Sequence, residues 1–579
     1  MPTRFELAGI MASRGMALGR ARLIYPLRFE VDTTVLTAPE SESEAAQFTL
    51  AVAAAHAQLR VVRERIPQAL ADELGEFIDA HASILDDPDF TGAILARIRN
   101  ERIRAATALK YERDKLAAAF DDVEDPYLKA RRDDFDQLIA RLYAALKRGE
   151  AGSNASVEAG DAPIGELLVA DTVGPAELVR LYQHGTLGFI TVGGNTFAHS
   201  AIMARSLYAP MACGVHEAFA QLRDGDLLLL DADHGRVVVH PDALDLKRLR
   251  LYQREAQRSR RERGRLRGAE TLTADGSTVL LHVNAEQPAE IAEARRLGAS
   301  GVGLFRTEFL FLRDGGLPDE DAQFRVYRDA VVAMGGKPVT LRTLDLGADK
   351  ASPALDLAPE PNPALGLRGL RLSLARRPMF VMQLRAMLRA AQYGPVRILL
   401  PMLGSIEEAR AARGLLDTCR TLLAGEGVDV GDDVLLGGMI EIPAAALIAD
   451  DLLGELDFLS IGSNDLVQYL LAADRDNDAV SDAYDPLHPA VLRLIARVVE
   501  AAARAGKPVT LCGELASDPR YLPLLLTLGL SDFSMRVSAL LEVRAALRTL
   551  SPVRLRKRLP ALLGCPDRAA IETMLANIA

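Results

Sequence analysis

Over residues 269–579, short apolar runs and longer segments of helical periodicity alternate with great regularity. The runs are "STVLLHVNA", "GVGLFRTE", "PVTLRTLD", "VRILLPML", "VLLGGMIEIP", "DFLSIGSND", "PVTLCGEL" and "SDFSMRVS". Helical patterns such as "EIAEARRLGA", "EEARAARGLLDTCRTLLAG" and "AVLRLIARVVEAAARAG" lie between them. A strand that is apolar along its length is covered on both faces, and strands joined through helices run parallel. Eight such units in roughly 300 residues predict a closed eight-stranded β/α barrel.

The preceding half has a different texture. Residues 36–150 are rich in Ala, Leu, Glu and Arg, almost free of glycine, and carry apolar residues at helical spacing. Ser41 and Glu44 stand in capping-box spacing, where hydroxyl and carboxylate each satisfy a free backbone N–H. Pro88 and Pro126 follow acidic residues and are placed to open further helices. Residues 151–245 change to short apolar runs, "ELLVA", "LGFITV" and "DLLLLDADHGRVVVH", separated by glycine and acidic turns. Residues 1–35 share that strand-and-glycine texture, so the helices read as an insertion within one α/β domain. Residues 246–268 are basic and polar with no wide apolar face, as expected of a solvated linker helix. The expected architecture is therefore a multidomain α/β chain: a helical bundle inserted in an α/β domain, a linker helix, then the barrel.

With 79 acidic against 68 basic side chains the formal net charge is -11, which gives no global support for binding nucleic acid. Cys213, Cys419, Cys512 and Cys565 include no C-x-x-C pair, so neither a disulfide framework nor a zinc site is indicated and a reducing cytoplasm fits. No run approaches the ~20 apolar residues of a membrane span.

In β/α barrels the reacting groups gather at the C-terminal ends of the strands. The runs here end on Arg306, Arg342, Glu441, Asn464 with Asp465, and Cys512. One polar residue closing an apolar strand is commonly a cap or an ion-pair partner; five strand ends carrying such groups point to a site. Two arginines supply planar forks for phosphate or carboxylate oxygens. Two carboxylates with an amide oxygen or water suit a magnesium ion that keeps positions open for substrate. Cys512 reads either as a proton donor or as a buried structural thiol. "GVGLFR" lacks the third glycine of a dinucleotide loop, and "DRDND" from Asp474 has Ala479 where a calcium loop needs its glycine turn.

His199, in "GGNTFAHSAIMARSL", stands between a glycine turn and the start of a predicted helix. It reads as a residue that merely precedes a helix with Met203 and Leu207 on its buried face. It also reads as a nucleophile, because a neutral imidazole nitrogen attacks near neutral pH and a helix N-terminus offers N–H groups to a phosphoryl group.

Together the segments "HSAIMARSL", "GVGLFRTEFLF", "LRTLDLGADK", "NPALGLRGLR", "GGMIEIPAAA", "DFLSIGSNDLVQYLLAADR" and "LCGELASD" resemble, in order and over nearly the whole chain, enzyme I of the phosphoenolpyruvate-dependent sugar phosphotransferase system. The resemblance implies a swivelling phosphohistidine domain (1–35 and 151–245), a helical subdomain (36–150) that docks an HPr-like carrier protein, a linker helix (246–268), and a barrel (269–579) that binds phosphoenolpyruvate and forms a homodimer. It implies His199 as phosphoryl acceptor, and Arg306, Arg342, Asn464, Asp465 and Arg475 as phosphoenolpyruvate ligands, with Lys350 and Arg368 at neighbouring basic positions. Glu441 and Asp465 would hold Mg2+, and Cys512 would protonate the enolpyruvate to pyruvate.

The departures cluster near the histidine. Where the family runs two glycines, a variable residue, Thr, a small residue and His, this chain reads Gly194, Asn195, Thr196, Phe197, Ala198, His199. Leu178 stands where relatives generally carry a threonine. These positions define an alternative, a phosphoenolpyruvate-sensing regulatory homologue with weakened phosphotransfer. A relative of the dikinase or synthase group would need an ATP-binding domain, for which the segment before His199 is too short and too helical.

Overall fold

The computed structural model describes residues 3–577 apart from 25–31, 33, 66–80, 122–134, 136–137, 140, 144, 147–164, 195–198, 313–315, 348–354, 356, 359, 432–433, 475–479 and 481–482. They form two compact units, Met1–Gln257 and Arg258–Ala579.

The first unit contains helices α1 (Ala38–Arg65), α2 (Pro88–Glu101) and α3 (Ala105–Asp121). Ala45, Phe48, Ala51, Ala55 and Leu59 form one buried stripe of α1 and meet Phe90, Ile94 and Ile98 of α2 and Leu109 of α3. This is the 3.6-residue periodicity expressed as packing. Pro88 opens α2 as expected, with Asp87 as N-cap accepting from Asp89 N; Pro126 lies outside the described residues. The Ser41–Glu44 capping box is not formed. Helix α1 begins one turn earlier, where Glu40 accepts from the backbone N–H and hydroxyl of Thr37 at 2.8 and 2.7 Å. Ser41 instead donates to Ile98 O at 2.8 Å, and Glu44 accepts from Arg104 and from Ala105 N. The same spacing occurs twice in succession, and the second copy is buried against other helices.

An eight-stranded sheet completes this unit in the order β1-β8-β7-β3-β4-β5-β6-β2. Its strands are β1 (Phe5–Ala8), β2 (Ile10–Ser13), β3 (Met16–Ile24), β4 (Glu166–Ala170), β5 (Gly188–Thr191), β6 (Met211–Cys213), β7 (Leu227–Asp231) and β8 (Arg236–Val239). Strand β3 pairs directly with β4, so α1–α3 lie in sequence between two neighbouring strands of one sheet. Leu167 and Val169 enter one buried cluster, Leu168 and Ala170 the other, so the two-residue strand period supplies a core on each face. The second cluster joins Leu178 and Leu181 of α4 (Pro175–Gln183) to Ala201, Met203 and Ala204 of α5 (His199–Leu207). Helix α6 (Ala243–Gly264) carries the boundary between the units. It is not solvated throughout: Leu249 packs on Leu229 and Val238, and buried Asp245 accepts from Arg4 at 2.7 Å.

In the second unit all eight expected strands form one closed, parallel barrel: β9 (Leu280–Ala285), β10 (Gly301–Phe305), β11 (Val339–Arg342), β12 (Val396–Leu400), β13 (Leu435–Ile440), β14 (Phe458–Ile461), β15 (Val509–Leu511) and β16 (Asp532–Arg536). Among the described residues no helix is long and apolar enough to cross a membrane. Arg544, fully buried, ties the segment before β9 and the turn before β10 to the C-terminal helices. It donates to Leu266 O, Leu297 O and Gly298 O at 2.8, 2.6 and 2.8 Å, and to the Thr271 hydroxyl at 3.0 Å. Arg544→Met is expected to lower barrel stability by about 3 kcal/mol or more, because each buried acceptor left without a donor costs roughly 1–3 kcal/mol. Urea unfolding followed by circular dichroism checks this, and Arg544→Lys should recover only part of the loss.

Candidate active site at the barrel mouth

Arg342 is the last residue of β11 and almost entirely buried. A guanidinium there must be compensated, and two carboxylates do so. Glu308, in the turn after β10, accepts from its Nη2 at 2.9 Å, and Asp345 lies 3.1 Å from its Nη1. Glu308 also accepts from Asp345 N at 3.1 Å, and Asp345 reaches on to Arg368 at 3.2 Å, so two arginines share one carboxylate. Burial alone would depress the Arg342 pKa, but the pull of Glu308, Asp345, Glu441 and Asp465 raises it instead. Its Nε, and Glu308 Oε2, are buried with no hydrogen-bond partner among the described residues. Arg306 differs: its backbone N–H donates to Ala285 O, while its side chain is half exposed with Nη1 3.1 Å from Glu286.

Glu441 directly follows β13 and is fully buried. Its Oε1 accepts from Met402 N at 2.5 Å, and its Oε2 has no hydrogen-bond partner among the described residues. Met402 adopts φ 54°, a left-handed conformation that costs a non-glycine residue about 1–3 kcal/mol and aims this N–H at the carboxylate. A Cβ at Gly462 would lie 3.0 Å from Oε2 and 3.2 Å from Met439 Sδ, so only glycine fits against this carboxylate. Burial, then Asp345 and Asp465, push the Glu441 carboxyl up to about 8.

Helix α7 (Ser463–Leu471) begins immediately beyond β14 and carries Asn464 and Asp465 in its first turn. Asn464 Oδ1 accepts from Glu514 N at 3.0 Å, which links this turn to the one after β15. Cys512 follows β15 with its thiol buried, and burial pushes it up to about 11, so it stays protonated near neutrality. Its carbonyl accepts from Asn284 Nδ2 at 3.1 Å, and Asn284 Oδ1 accepts from the Ser534 hydroxyl at 2.7 Å.

Arg306, Arg342, Arg368, Glu441, Asn464, Asp465 and Cys512 thus lie at the C-terminal rim or in the loops rising from it. Lys350 and Arg475 lie outside the described residues. His199 belongs to the other unit, where it opens α5; Asn195 and Phe197 lie outside the described residues, and Leu178 is fully buried in α4. Glu308, Asp345, Asn284 and Ser460 were not singled out from sequence. The first two carried a usable signal, since an arginine ending an apolar strand requires acidic residues nearby in the adjoining loops.

Residues 260–551 match the family model described as "PEP-utilising enzyme, PEP-binding domain", residues 8–131 the "N-terminal" model and residues 162–235 the "mobile domain" model of the same enzymes. The phosphoenolpyruvate-protein phosphotransferase of Cupriavidus necator is 42% identical over 547 residues, covering 93% of each chain. The chain belongs to this family, that of enzyme I. The Geobacillus stearothermophilus phosphotransferase is 39% identical over 545 residues, 94% of this chain and 93% of its own. The Staphylococcus aureus phosphotransferase is 36% identical over 577 residues, 99% of each chain.

In this enzyme I chain the donor chemistry fits a hard divalent cation, because Glu441 Oε2 is an anionic-type oxygen with no hydrogen-bond partner among the described residues. Among the described residues no three His, Cys, Asp or Glu side chains are arranged to hold a metal. A cation at Glu441 and Asp465 would therefore complete its shell with water and substrate oxygens, the habit of magnesium. A carboxyl raised from 4.5 to about 8 retains its proton in the folded protein at pH values where the unfolded chain has lost it. In metal-free protein its contribution to stability is therefore expected to fall as pH rises from about 5 to about 8. Urea unfolding with chelator at several pH values checks this; Glu441→Gln should lose that component of the slope.

Proposed function

We propose that this enzyme I transfers the phosphoryl group of phosphoenolpyruvate to His199, releases pyruvate, and passes the phosphoryl group to the histidine of a small HPr-like carrier, the first step of phosphotransferase-system sugar uptake. One observation carries the barrel's part. Arg342 Nε, a donor, and Glu441 Oε2, both buried, have no hydrogen bond among the described residues at the same rim. A phosphorylated carboxylate accompanied by a cation supplies the partner each of them lacks.

In this reading Arg306, Arg342, Arg368 and Asn464, with Lys350 and Arg475 by motif, grip the phosphate and carboxylate of the substrate. Glu441 and Asp465 hold Mg2+, which when bound withdraws charge from the phosphoryl oxygens. With that charge spread over arginines, in-line attack by the imidazole is mainly a matter of positioning. The P–N bond forms as the bridging P–O bond breaks, its electrons passing to the enolate. Cys512 then gives its proton to the terminal carbon, yielding pyruvate. A helix N-terminus such as the start of α5 favours a phosphoryl group on His199. In this reading the domain carrying His199 swivels between phosphoenolpyruvate and the carrier protein. We further infer a cytoplasmic enzyme that dimerises through the barrel.

The regulatory alternative is not favoured, since relatives matching this chain over 93% or more of its length are named as phosphotransferases. Incubation with Mg2+ and radiolabelled phosphoenolpyruvate should give an acid-labile, base-stable label in the native protein and none in His199→Ala. Equal labelling of both would overturn the assignment. Arg342→Lys, which loses the planar fork, should lower kcat/KM for phosphoenolpyruvate by roughly 10- to 100-fold.

A further inference from the structure

We propose that Ser460 is a positioning residue for Cys512: its hydroxyl orients the thiol for proton transfer and hydrogen-bonds the thiolate left behind. The proposal rests on the reading of Cys512 as the acid that protonates the enolate.

Ser460 interrupts an otherwise apolar strand, lying between Leu459 and Ile461 of β14 and almost fully buried. A hydroxyl at such a position is unfavourable unless bonded, and this one donates to Cys512 Sγ at 3.3 Å. The thiol in turn donates to Ile461 O at 3.4 Å. The sulfur therefore sits between a donor and an acceptor on one neighbouring strand: its proton rests on Ile461 O and must turn towards the enolate for transfer, while the Ser460 hydroxyl holds the sulfur in place. The backbone is held separately, by Cys512 N to Ile461 O at 3.0 Å and by the Asn284 amide on the Cys512 carbonyl. Ser460 is thus the donor to the sulfur among the described residues, while the loop is anchored without it.

The chemistry requires such a contact. As the enolate collapses, its electrons form the new C–H bond with the thiol proton, the S–H bond breaks, and a buried thiolate remains until water returns the proton after pyruvate departs. Burial opposes that thiolate, Glu441 opposes it further, and Arg342 and Arg306 favour it from the same rim. The Ser460 hydroxyl is already aimed at the atom where the charge appears, so its hydrogen bond strengthens as the proton leaves.

Ser460→Ala, Ser460→Thr and Cys512→Ala are compared with the native enzyme with Mg2+ and phosphoenolpyruvate stereospecifically deuterated at its terminal carbon. Phosphohistidine formation, pyruvate formation and the chirality of the product methyl group are measured in tritiated water. For Ser460→Ala the expected result is pyruvate formation slowed roughly 10- to 100-fold, the effect of removing one hydrogen bond to a developing charge. KM for phosphoenolpyruvate should stay within about twofold, and methyl chirality should fall as enolpyruvate escapes to ketonise in solution. Ser460→Thr keeps the hydroxyl and should restore rate and chirality. Equal impairment in Ala and Thr would reduce Ser460 to a packing role and overturn the proposal. Native rate and chirality in Ser460→Ala, with both lost in Cys512→Ala, would overturn it while leaving Cys512 as the acid. Native chirality in Cys512→Ala would instead remove the reading on which the proposal rests.

Discussion

Closure of the second sheet by the pairing of its first and last strands is the constraint on which the site depends. Strands β9 and β16 run in register from Leu280 opposite Asp532 to Asn284 opposite Arg536. With that seam formed, every strand is buried on both sides and every C-terminal end reaches the same rim. The seam also sets Asn284 beside Ser534 and within hydrogen-bonding distance of the Cys512 carbonyl, 228 residues further along the chain. Arg544 reinforces it from outside by holding the chain segments that lead into β9.

That rim concentrates charge where charge is costly. Arg342 remains ionised because Glu308 and Asp345 surround it, and Asp345 binds Arg368 in the same grasp. Among the described residues Glu441, by contrast, has a backbone N–H on one oxygen and no hydrogen-bond partner on the other, and burial drives it towards its protonated form. Cys512 is held in its neutral form by the same low-dielectric surroundings. One environment thus keeps a cation charged, a carboxyl largely protonated and a thiol protonated. In the proposed reaction the bound cation would displace the carboxyl proton, the arginine would meet the substrate anion and the thiol would meet the proton demand.

Much of this was legible in the chain, and the failures have identifiable causes. The eight barrel strands were readable because a strand covered on both faces needs an uninterrupted apolar run, and such runs are local. Pro88 marked a helix start for an equally local reason, the proline's fixed φ and missing N–H. Ser41 and Glu44 misled because a capping box is also local and occurs twice: Thr37 and Glu40 lie at the true helix start, and the second pair was taken up by tertiary contacts. Leu249 was hidden in a basic helix because one apolar side chain makes no periodic stripe, yet it packs α6 on β7 and β8 beside the Arg4–Asp245 pair.

The sequence by itself determined which segments become barrel strands and which polar residues stand at their ends, because periodicity and chain order need no knowledge of distant partners. It also marked His199 by its place between a glycine turn and a helix. Only the tertiary structure decided that Glu308 and Asp345 clamp Arg342, that one Glu441 oxygen has no hydrogen-bond partner among the described residues, and that Ser460 touches Cys512. Those outcomes follow from the register between strands far apart in sequence and from the depth at which each group is buried. Both are properties of the closed barrel that no single segment contains.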